Sequence, residues 1–498
     1  MGDHVGVQSF SRQDRTRFRA KVGRCLDALA VMLADGTFDV AEPRLGLEIE
    51  LNLVDGAHDP AMSNARVLEE IADPAFQTEL GRFNIEINVA PRPLAGASLR
   101  ELEGALRAAL NAADERARGV GCGLAMIGML PTVDEHHFTE QWFSEDPRYG
   151  LLSQQVIAAR GEDIALQLDG SALSDGGSRE TLDIVCDTIL PEAACTSVQL
   201  HLQVPPEEFA AYWNSAQAIA GVQVALAANS PFFAGRALWH ETRIPMFEQA
   251  TDTRSQELKN QGVRPRVWFG ERWITSIFDL FEENSRYFPA LLPVCTDEDP
   301  FEVLEAGGSP KLAELRMHNG TIYRWNRPIY DAQDEGRHLR LENRVLPAGP
   351  SIPDVLADAA LYYGLVRSLT DADRPLWTQM TFDAAEENLH SAARDGIEAR
   401  MYWPEVGWVG PRELVLRRLL PLAAEGLDAY GVDAAVRDRY LGIIEQRCLT
   451  GRNGATWQRG AVAAREAAGE TRSEALHGML AEYLERMHTG EPVHTWTS

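Results

Sequence analysis

The sequence predicts an α+β fold in which one sheet has a polar and an apolar face, helices cover the apolar face, and a helical C-terminal region follows. Three observations support this prediction. Four segments alternate apolar and polar residues with a period of two, which is the spacing of β-strands. Leucine-rich segments with helical spacing lie between them, and the chain beyond Pro353 keeps helical spacing almost to its end.

The four alternating segments supply the predicted sheet. They span residues 45–53, 83–89, 198–204 and 339–345. Successive side chains of a strand point to opposite faces, so Glu48 and Glu50 share one face of the first segment while its leucines share the other. Carboxylates, an imidazole and guanidiniums together indicate a site for cations and phosphate. The predicted polar face carries Glu48, Glu50, Glu86, His201, Arg340, Glu342 and Arg344.

Composition excludes several classes of partner. The 498 residues are 45% hydrophobic, enough for a sizeable core, and the formal net charge is −27. Nucleic acid and anionic membranes are therefore not expected partners, because phosphate is bound by an excess of Lys and Arg. The most apolar long stretch, residues 218–235, contains Gln223 and Asn229 and predicts a buried helix instead of a membrane span. The six cysteines are scattered and form no C-x-x-C pair, and we find no apolar signal segment. These features predict a cytoplasmic protein.

Helices are predicted around the sheet. Residues 11–34 have helical spacing behind a capping box formed by Ser11 and Asp14, and a second helix is predicted from Ser98 to Gly119. A third helix is predicted after Pro205-Pro206 and runs to about residue 229. The apolar run 124–130 predicts a buried strand, and the polar, Gly-rich segment 134–183 predicts a loop that we interpret as a lid.

We expect three segments along the chain. They are an N-terminal helix over residues 1–40 that packs on the catalytic domain, the catalytic domain over residues 41–380, and a helical region over residues 381–498 that belongs to the same domain. No repeat or sharp change of composition marks a further boundary.

The carboxylates of the first two strands indicate a metal site. Two carboxylates at positions i and i+2 of a strand lie about 7 Å apart on one face, which suits two adjacent divalent ions. Glu86, with Glu79 seven residues before it, completes an oxygen-rich set of the kind that Mg²⁺ and Mn²⁺ prefer. The competing interpretation is that Glu48 and Glu50 only solvate an exposed strand.

Arginines surround the carboxylate of the fourth strand. Arg340 and Arg344 flank Glu342 on one face, and Arg324 and Arg327 lie upstream beside aromatic residues. Guanidinium groups stay protonated and bind phosphate oxygens with a planar donor fork, so this run predicts a focused anion site. A surface ladder of ion pairs is the alternative interpretation.

His201 lies on the polar side of the third strand between Gln199 and Gln203. A lone histidine is usually a hydrogen-bonded structural residue, but the neighbouring carboxylates favour contact with metal or phosphate. The pair His136-His137 has no recognisable ligand spacing. Neither a P-loop, a Rossmann G-x-G-x-x-G after a strand, nor a G-x-S-x-G nucleophile elbow is present. A nucleotide would therefore bind to the acidic sheet itself.

The order of these motifs resembles the glutamate–cysteine ligase type 2, or carboxylate–amine ligase, family, which shares the glutamine-synthetase-like fold. The resemblance rests on the E-x-E strand, the E-x6-E spacing that ends in Ile-Glu-Ile, the strand that carries the histidine, N-G-T-I-Y-R-W and R-x-E-x-R. It begins near residue 44 and continues to residues 387–396 and 450–455 in the helical region. It implies a curved, mainly antiparallel sheet whose polar face is the active site.

The resemblance also implies roles for the residues of that face. Glu50, Glu79 and Glu86 would hold one Mg²⁺ or Mn²⁺ ion. Glu48, His201 and Glu342 would hold another. The implied groups near phosphate are Arg340 and Arg344 at the nucleotide, with His201 beside them, and Arg324 and Arg327 at the transferring phosphoryl group. Arg236 and Arg243 would grip a substrate carboxylate.

The implied activity is ATP-dependent formation of a γ-glutamyl amide through an acyl phosphate, from glutamate and an amine such as cysteine. The expected partners are then small-molecule substrates, and neither nucleic acid nor a membrane is expected to bind. A homo-oligomer is possible. Three alternatives remain: phosphotransfer to a guanidino nitrogen, hydrolysis of an amide or isopeptide on the same scaffold, and a nucleotide-binding protein without catalysis.

Overall fold

A central antiparallel sheet carries all four predicted strands. The computed structural model describes residues 9–39, 42–173, 177–333 and 336–497. Its strands are β1 (Arg44–Val54), β2 (Phe76–Thr78), β3 (Asn84–Pro93), β4 (Gly123–Ala125), β5 (Ile164–Asp169), β6 (Thr181–Cys186), β7 (Ser197–Gln203), β8 (Phe232–Phe233), β9 (Arg236–Ala237), β10 (Val267–Trp268), β11 (Tyr323–Arg324), β12 (Asn326–Gln333), β13 (Gly336–Pro347), β14 (Met401–Trp403) and β15 (Gly407–Val409). The central sheet has seven strands in the order β12-β13-β7-β1-β3-β2, with β4 paired to β1, and it curls into a half-barrel. The curved, mainly antiparallel sheet is therefore confirmed.

The strand register brings the predicted polar residues together. Glu50 lies directly opposite Glu86 across β1 and β3, and Glu342 lies opposite His201 across β13 and β7. The leucines and isoleucine on the other side of β1 are all buried. The alternation therefore predicted the two faces correctly, because side chains directly opposite in a sheet point to the same side.

Seventeen α-helices pack around the sheet within the described ranges. They are α1 (Arg12–Asp35), α2 (Asn64–Ile71), α3 (Ser98–Gly119), α4 (Pro147–Arg160), α5 (Phe209–Ala227), α6 (Arg243–Ala250), α7 (Gln256–Asn260), α8 (Ile277–Tyr287), α9 (Pro300–Glu305), α10 (Ala313–Asn319), α11 (Ile352–Thr370), α12 (Phe382–Asp395), α13 (Pro411–Leu414), α14 (Leu420–Ala429), α15 (Ala434–Thr450), α16 (Gly454–Ala467) and α17 (Arg472–Thr489).

The apolar face of the sheet is covered by α5 and α11. Helix α5 packs on β13 and α11 packs on β7, and the two helices also pack on each other. The Tyr363 hydroxyl of α11 donates to the His201 carbonyl at 3.1 Å, which fixes this helix to the strand that carries the histidine. Both helices are buried on nearly all sides, as expected for elements sandwiched between a sheet and further helices.

The predicted helices around the sheet are largely confirmed. Ser11 and Asp14 form the capping box of α1, which packs against α8, α9 and α10, and α3 begins and ends at the predicted residues. Helix α5 begins at Phe209, one turn after Pro205-Pro206. The region beyond Pro353 is helical apart from the short β14–β15 hairpin.

Two predictions about segments between the strands were wrong. Residues 134–183 are not one loop, because they contain α4, β5 and the start of β6. The β5–β6 hairpin alternates buried and exposed residues, but its strands are short and their turn is Gly-rich, which hid the alternation. The run 124–130 is buried throughout, yet only its beginning is a strand, because β4 pairs with β1 only as far as Ala125.

One buried ion cluster joins α11 to α15 in the C-terminal region. Arg447 donates to Asp358 at 2.7 Å and to Asp354 at 3.0 Å, and all three residues are buried. Buried apolar residues form a continuous cluster from Phe18 to Trp496, and the division into three segments stays a prediction. Within the described residues, no helix combines the length and the apolar character that crossing a membrane requires.

Candidate active site

Glu48, His201 and Glu342 converge at the centre of the polar face. The Glu48 carboxylate lies 3.1 Å from Nε2 of His201, and one ligand atom from each of the three residues lies within 4.8 Å of the other two. They come from β1, β7 and β13, which are neighbours in the sheet. Gly46 lies opposite His201 on β1, and a Cβ there would come within 3.3 Å of the His201 Cβ. Two carboxylates and an imidazole suit a divalent cation.

The carboxylates of this cluster are charged at neutral pH. Burial disfavours the ionised form of Glu48, but His201 outweighs it and lowers the pKa of Glu48 to about 2. At Glu342 burial also disfavours the ionised form, but Arg327 and Arg344 outweigh it and hold the pKa of Glu342 well below its usual range. Metal ligands must be deprotonated, so both groups are in the protonation state that a metal ligand needs.

Glu50, Glu79 and Glu86 form a second acidic group beside the first. Glu50 accepts the backbone N–H of Ser197 at 2.6 Å, and Glu86 accepts from Asn88 at 2.7 Å. Within the described part of the chain, the oxygens of these three glutamates do not converge as the Glu48 cluster does. Burial and the neighbouring Glu50 raise the pKa of Glu79 to about 7, and burial with the surrounding glutamates raises the pKa of Glu86 well above its usual value. Arg344 and Arg243 lie near Glu50 and act to lower its pKa, but burial outweighs them and the pKa of Glu50 is raised as well.

Three of the predicted arginines contact the Glu48 cluster. Arg327 donates to both oxygens of Glu342, at 2.7 and 2.9 Å. Arg344 donates to the same carboxylate at 2.5 Å and to Gln199 at 2.6 Å. Arg340 donates to Nδ1 of His201 at 3.2 Å. Guanidinium groups therefore line the edge of the candidate metal site, where phosphate oxygens could be held.

Arg324 is engaged elsewhere. It is 1% exposed, donates to Glu283 at 2.9 Å and to Asn284 at 3.1 Å, and lies over the ring of Trp268. None of these contacts involves the Glu48 cluster. A role for Arg324 at the transferring phosphoryl group stays a prediction.

The two arginines predicted for substrate binding lie in different surroundings. Arg243 is buried, donates to Glu241 at 2.9 Å and to the Arg344 carbonyl at 3.3 Å, and lines a cleft next to Glu50. Arg236 lies in the β8–β9 hairpin and does not line that cleft. The structure therefore brings Arg243, but not Arg236, to the glutamates of the site.

Sequence reasoning missed Glu192, which also lines the cleft. It belongs to a short 3₁₀ segment, Leu190–Ala194, just before β7. A proline followed by a glutamate is an ordinary helix start, so no spacing distinguished this residue. Burial, with Glu79 and Glu50 nearby, raises the pKa of Glu192 to about 8.

A second group of possible metal ligands lies away from the sheet. Ligand atoms of Asp134, His136 and His137 lie within 4.8 Å of one another, although their spacing gave no prediction of a site. Nδ1 of His137 already accepts the backbone N–H of Asp134 at 3.1 Å, and Asp134 caps the turn that holds both histidines. These contacts show that Asp134 and the two histidines form the cap of a short turn, which explains why they lie close together.

Comparisons with known proteins identify the family and the fold of the chain. The sequence model of the glutamate-cysteine ligase family 2 matches residues 44–477. The fold is similar to the crystal structure of glutamate–cysteine ligase from Francisella tularensis in complex with AMP, with 12% identity, a TM-score of 0.55 and coverage of 91% of each chain.

Two further solved structures align with TM-scores below 0.5. A bifunctional glutathione synthetase from Pasteurella multocida aligns with 11% identity and a TM-score of 0.47, over 92% of this chain and 54% of that one. A complex of the ubiquitin-like protein Pup with its ligase PafA aligns with 10% identity and a TM-score of 0.37, over 86% and 70%. A search of curated protein sequences finds no match. The family match over most of the chain confirms the resemblance: the chain belongs to glutamate-cysteine ligase family 2, and it is an ATP-dependent ligase that forms carbon–nitrogen bonds.

Proposed function

We propose that this ligase forms a γ-glutamyl amide from glutamate and an amine. The γ-phosphoryl group of ATP passes to the γ-carboxylate of glutamate and gives an acyl phosphate and ADP. The amine nitrogen then attacks the acyl carbon, the bond from that carbon to the phosphate oxygen breaks, and inorganic phosphate leaves. The family supports ligation; the donor and the intermediate are our proposal.

One observation carries the proposal: the Glu48 cluster and three arginines meet on a single face of the sheet. The cluster offers two carboxylates and an imidazole to a divalent cation, while Arg327, Arg340 and Arg344 contact its members. Phosphoryl transfer needs positioning and charge stabilisation more than covalent chemistry, and rigid strands provide the positioning. A carboxylate acceptor is one of the substrates that such a face can serve.

The metal ligands and the arginines have separate tasks in this proposal. Glu48, His201 and Glu342 hold one Mg²⁺ or Mn²⁺ ion, and Glu50, Glu79 and Glu86 hold another. Bound Mg²⁺ would neutralise negative charge on the phosphate oxygens. Arg340 and Arg344 donate to the phosphates of the nucleotide, and Arg327 donates to the phosphoryl group in transfer. Arg243, already at the cleft, binds a substrate carboxylate.

The experiment is an ATPase screen with glutamate plus single amino acids or small amines, read by mass spectrometry. We expect amine-dependent release of ADP and phosphate with a γ-glutamyl product. Glu48→Gln should lower kcat/KM on the order of a hundredfold to a thousandfold, whereas Glu207→Gln, an exposed control, should not. ATP consumption that leaves a stable phosphorylated acceptor would show a kinase, amide hydrolysis without ATP turnover would show a hydrolase, and ATP binding without consumption would show a non-catalytic protein. Each of these results overturns the proposal.

A cytoplasmic location is also a proposal. All six cysteines are free thiols in the structure, which suits a reducing compartment.

A further inference from the structure

The cleft beside Glu50 and Arg344 offers both hydrogen-bond donors and acceptors. The space that the centre of a water molecule can reach in it is about 30 Å³, which is room for about two water-sized groups. A primary ammonium group is of that size. Among the residues that line the cleft, Arg243, Arg344 and Trp325 carry donors, whereas Asn84 and Glu192 carry acceptors, as do the proposed metal ligands Glu50 and Glu79.

Two polar atoms of the cleft lining are buried without a partner. Among the described residues, Oδ1 of Asn84 and Nε1 of Trp325 have no hydrogen bond, and these side chains belong to residues that are 2% and 1% exposed. The cost of leaving a buried donor or acceptor unpaired is about 1–3 kcal/mol each. Such atoms in a native protein call for a ligand or water that satisfies them.

The Glu192 carboxyl is also without a partner. Within the described ranges it makes no side-chain hydrogen bond or ion pair. Burial raises the pKa of Glu192, the neighbouring Glu79 and Glu50 raise it further, and Arg344 acts to lower it. Among the described residues, the cleft therefore has a carboxyl group and an amide oxygen without partners, next to the proposed reaction site. An ammonium group would donate to both, and its positive charge would favour the ionised form of Glu192.

We propose that Glu192 binds the primary ammonium group of a substrate in this cleft. The inference rests on the proposed ligation, in which both the glutamate donor and an amino-acid acceptor bring such a group. Glu192 is thus a specificity-determining residue that distinguishes an amino acid from an acid lacking the amine.

The test compares ligands that differ only in the amine. Calorimetry measures binding of L-glutamate against glutarate for the donor, and of L-cysteine against 3-mercaptopropionate for the acceptor, with ATP analogue and Mg²⁺ present. A charge-assisted hydrogen bond predicts that the wild type prefers the amine-bearing member of one pair by roughly 10- to 100-fold. Glu192→Gln should bring this ratio close to one by weakening only the amine-bearing ligand. The pair that responds identifies the source of the ammonium group.

Steady-state kinetics give a second measurement. Glu192→Gln should raise KM for the same substrate and change kcat much less, whereas Glu207→Gln should change neither. Glutamine has the shape of glutamate without its charge. Thermal unfolding checks that the Glu192→Gln variant is folded. If it is not, Glu192→Ala is used in its place.

The outcomes separate this inference from the proposed function. If γ-glutamyl product forms but Glu192→Gln keeps the wild-type preference in both pairs, the role of Glu192 is overturned and the ligation stands. If the wild type makes no γ-glutamyl product with any amine, the proposed function fails, and the binding ratios still decide on Glu192. A wild type that shows no preference in either pair also overturns the inference.

Discussion

Replacing Glu342 with glutamine should cost both stability and activity. The carboxylate is completely buried, accepts two bonds from Arg327 and one from Arg344, and offers a ligand atom to the metal cluster. Glutamine keeps the shape but loses the charge, and its amide N–H groups face guanidinium donors. Removing one partner of a buried ion pair typically costs about 3–5 kcal/mol, and we expect a loss of that size in the free energy of unfolding.

The loss should depend on pH with a definite sign. The pKa of Glu342 is held well below its unfolded value, so its contribution to stability is fully present above about pH 4.5 and declines as the pH falls further. Urea denaturation followed by circular dichroism at pH 7.5 and at pH 3.5 measures the difference between wild type and Glu342→Gln. We expect the difference to be smaller at the lower pH.

Glu48→Gln is the matched control for this experiment. Among the described residues the Glu48 side chain forms an ion pair with His201 and is 19% exposed, whereas Glu342 is completely buried between two arginines. Replacing Glu48 should therefore cost less stability than Glu342→Gln, while activity falls as far. A Glu342→Gln variant within about 1 kcal/mol of the wild type at pH 7.5 would refute the reasoning, because the two arginines would then not depend on this carboxylate.

Three further predictions concern other parts of the molecule. Arg447→Met leaves two buried aspartates unpaired and should lower the unfolding free energy by about 3–5 kcal/mol in a denaturant titration; a loss below about 1 kcal/mol would contradict it. Burial disfavours the charged form of His390, but the hydrogen bond to Glu248 outweighs it and raises the pKa of His390 to about 9. This pair therefore stabilises the folded protein fully below about pH 6.5, and the stabilisation is lost as the pH rises through 9. Because the pair is partly exposed, Glu248→Gln should destabilise the protein on the order of 1 kcal/mol at pH 6 and not at pH 10. Mg²⁺ should raise the unfolding temperature of the protein, and a chelator should reverse the effect. Glu48→Gln should weaken Mg²⁺ binding by at least about tenfold in calorimetry. Equal Mg²⁺ affinity of the wild type and the variant would rule out the Glu48 cluster as a ligand set.

The strands of the site could be predicted because their side chains alternate strictly. In β1 each leucine faces the helices and each glutamate faces the site, so a period of two identifies both faces at once. The capping box of α1 was equally local: Ser11 and Asp14 satisfy each other's backbone groups within one turn. Features determined by neighbouring residues in the chain were therefore readable from the sequence.

Features determined by tertiary contacts were not. Arg324 lies close in the chain to Arg327, yet β11 pairs with β10 and carries Arg324 into a buried pair with Glu283. Glu192 stands in a short 3₁₀ segment without any periodicity, and only the folded chain brings it beside Glu79. The polar face is also drier than its charges suggest, because Glu86, His201 and Glu342 are all buried.

The order of strands in the sheet has a consequence for how the protein acquires its activity. Glu48 lies on β1 near the start of the chain, whereas its cluster partner Glu342 lies on β13, and β7 must pair between these two strands. Closing so long a loop is slow and costs chain entropy before any pairing repays it. A ribosome-bound chain that has not yet exposed β13 has no complete cation site. In a refolding experiment, the return of Mg²⁺ binding should therefore coincide with the slowest pairing step of the sheet and not with the formation of the first hairpin.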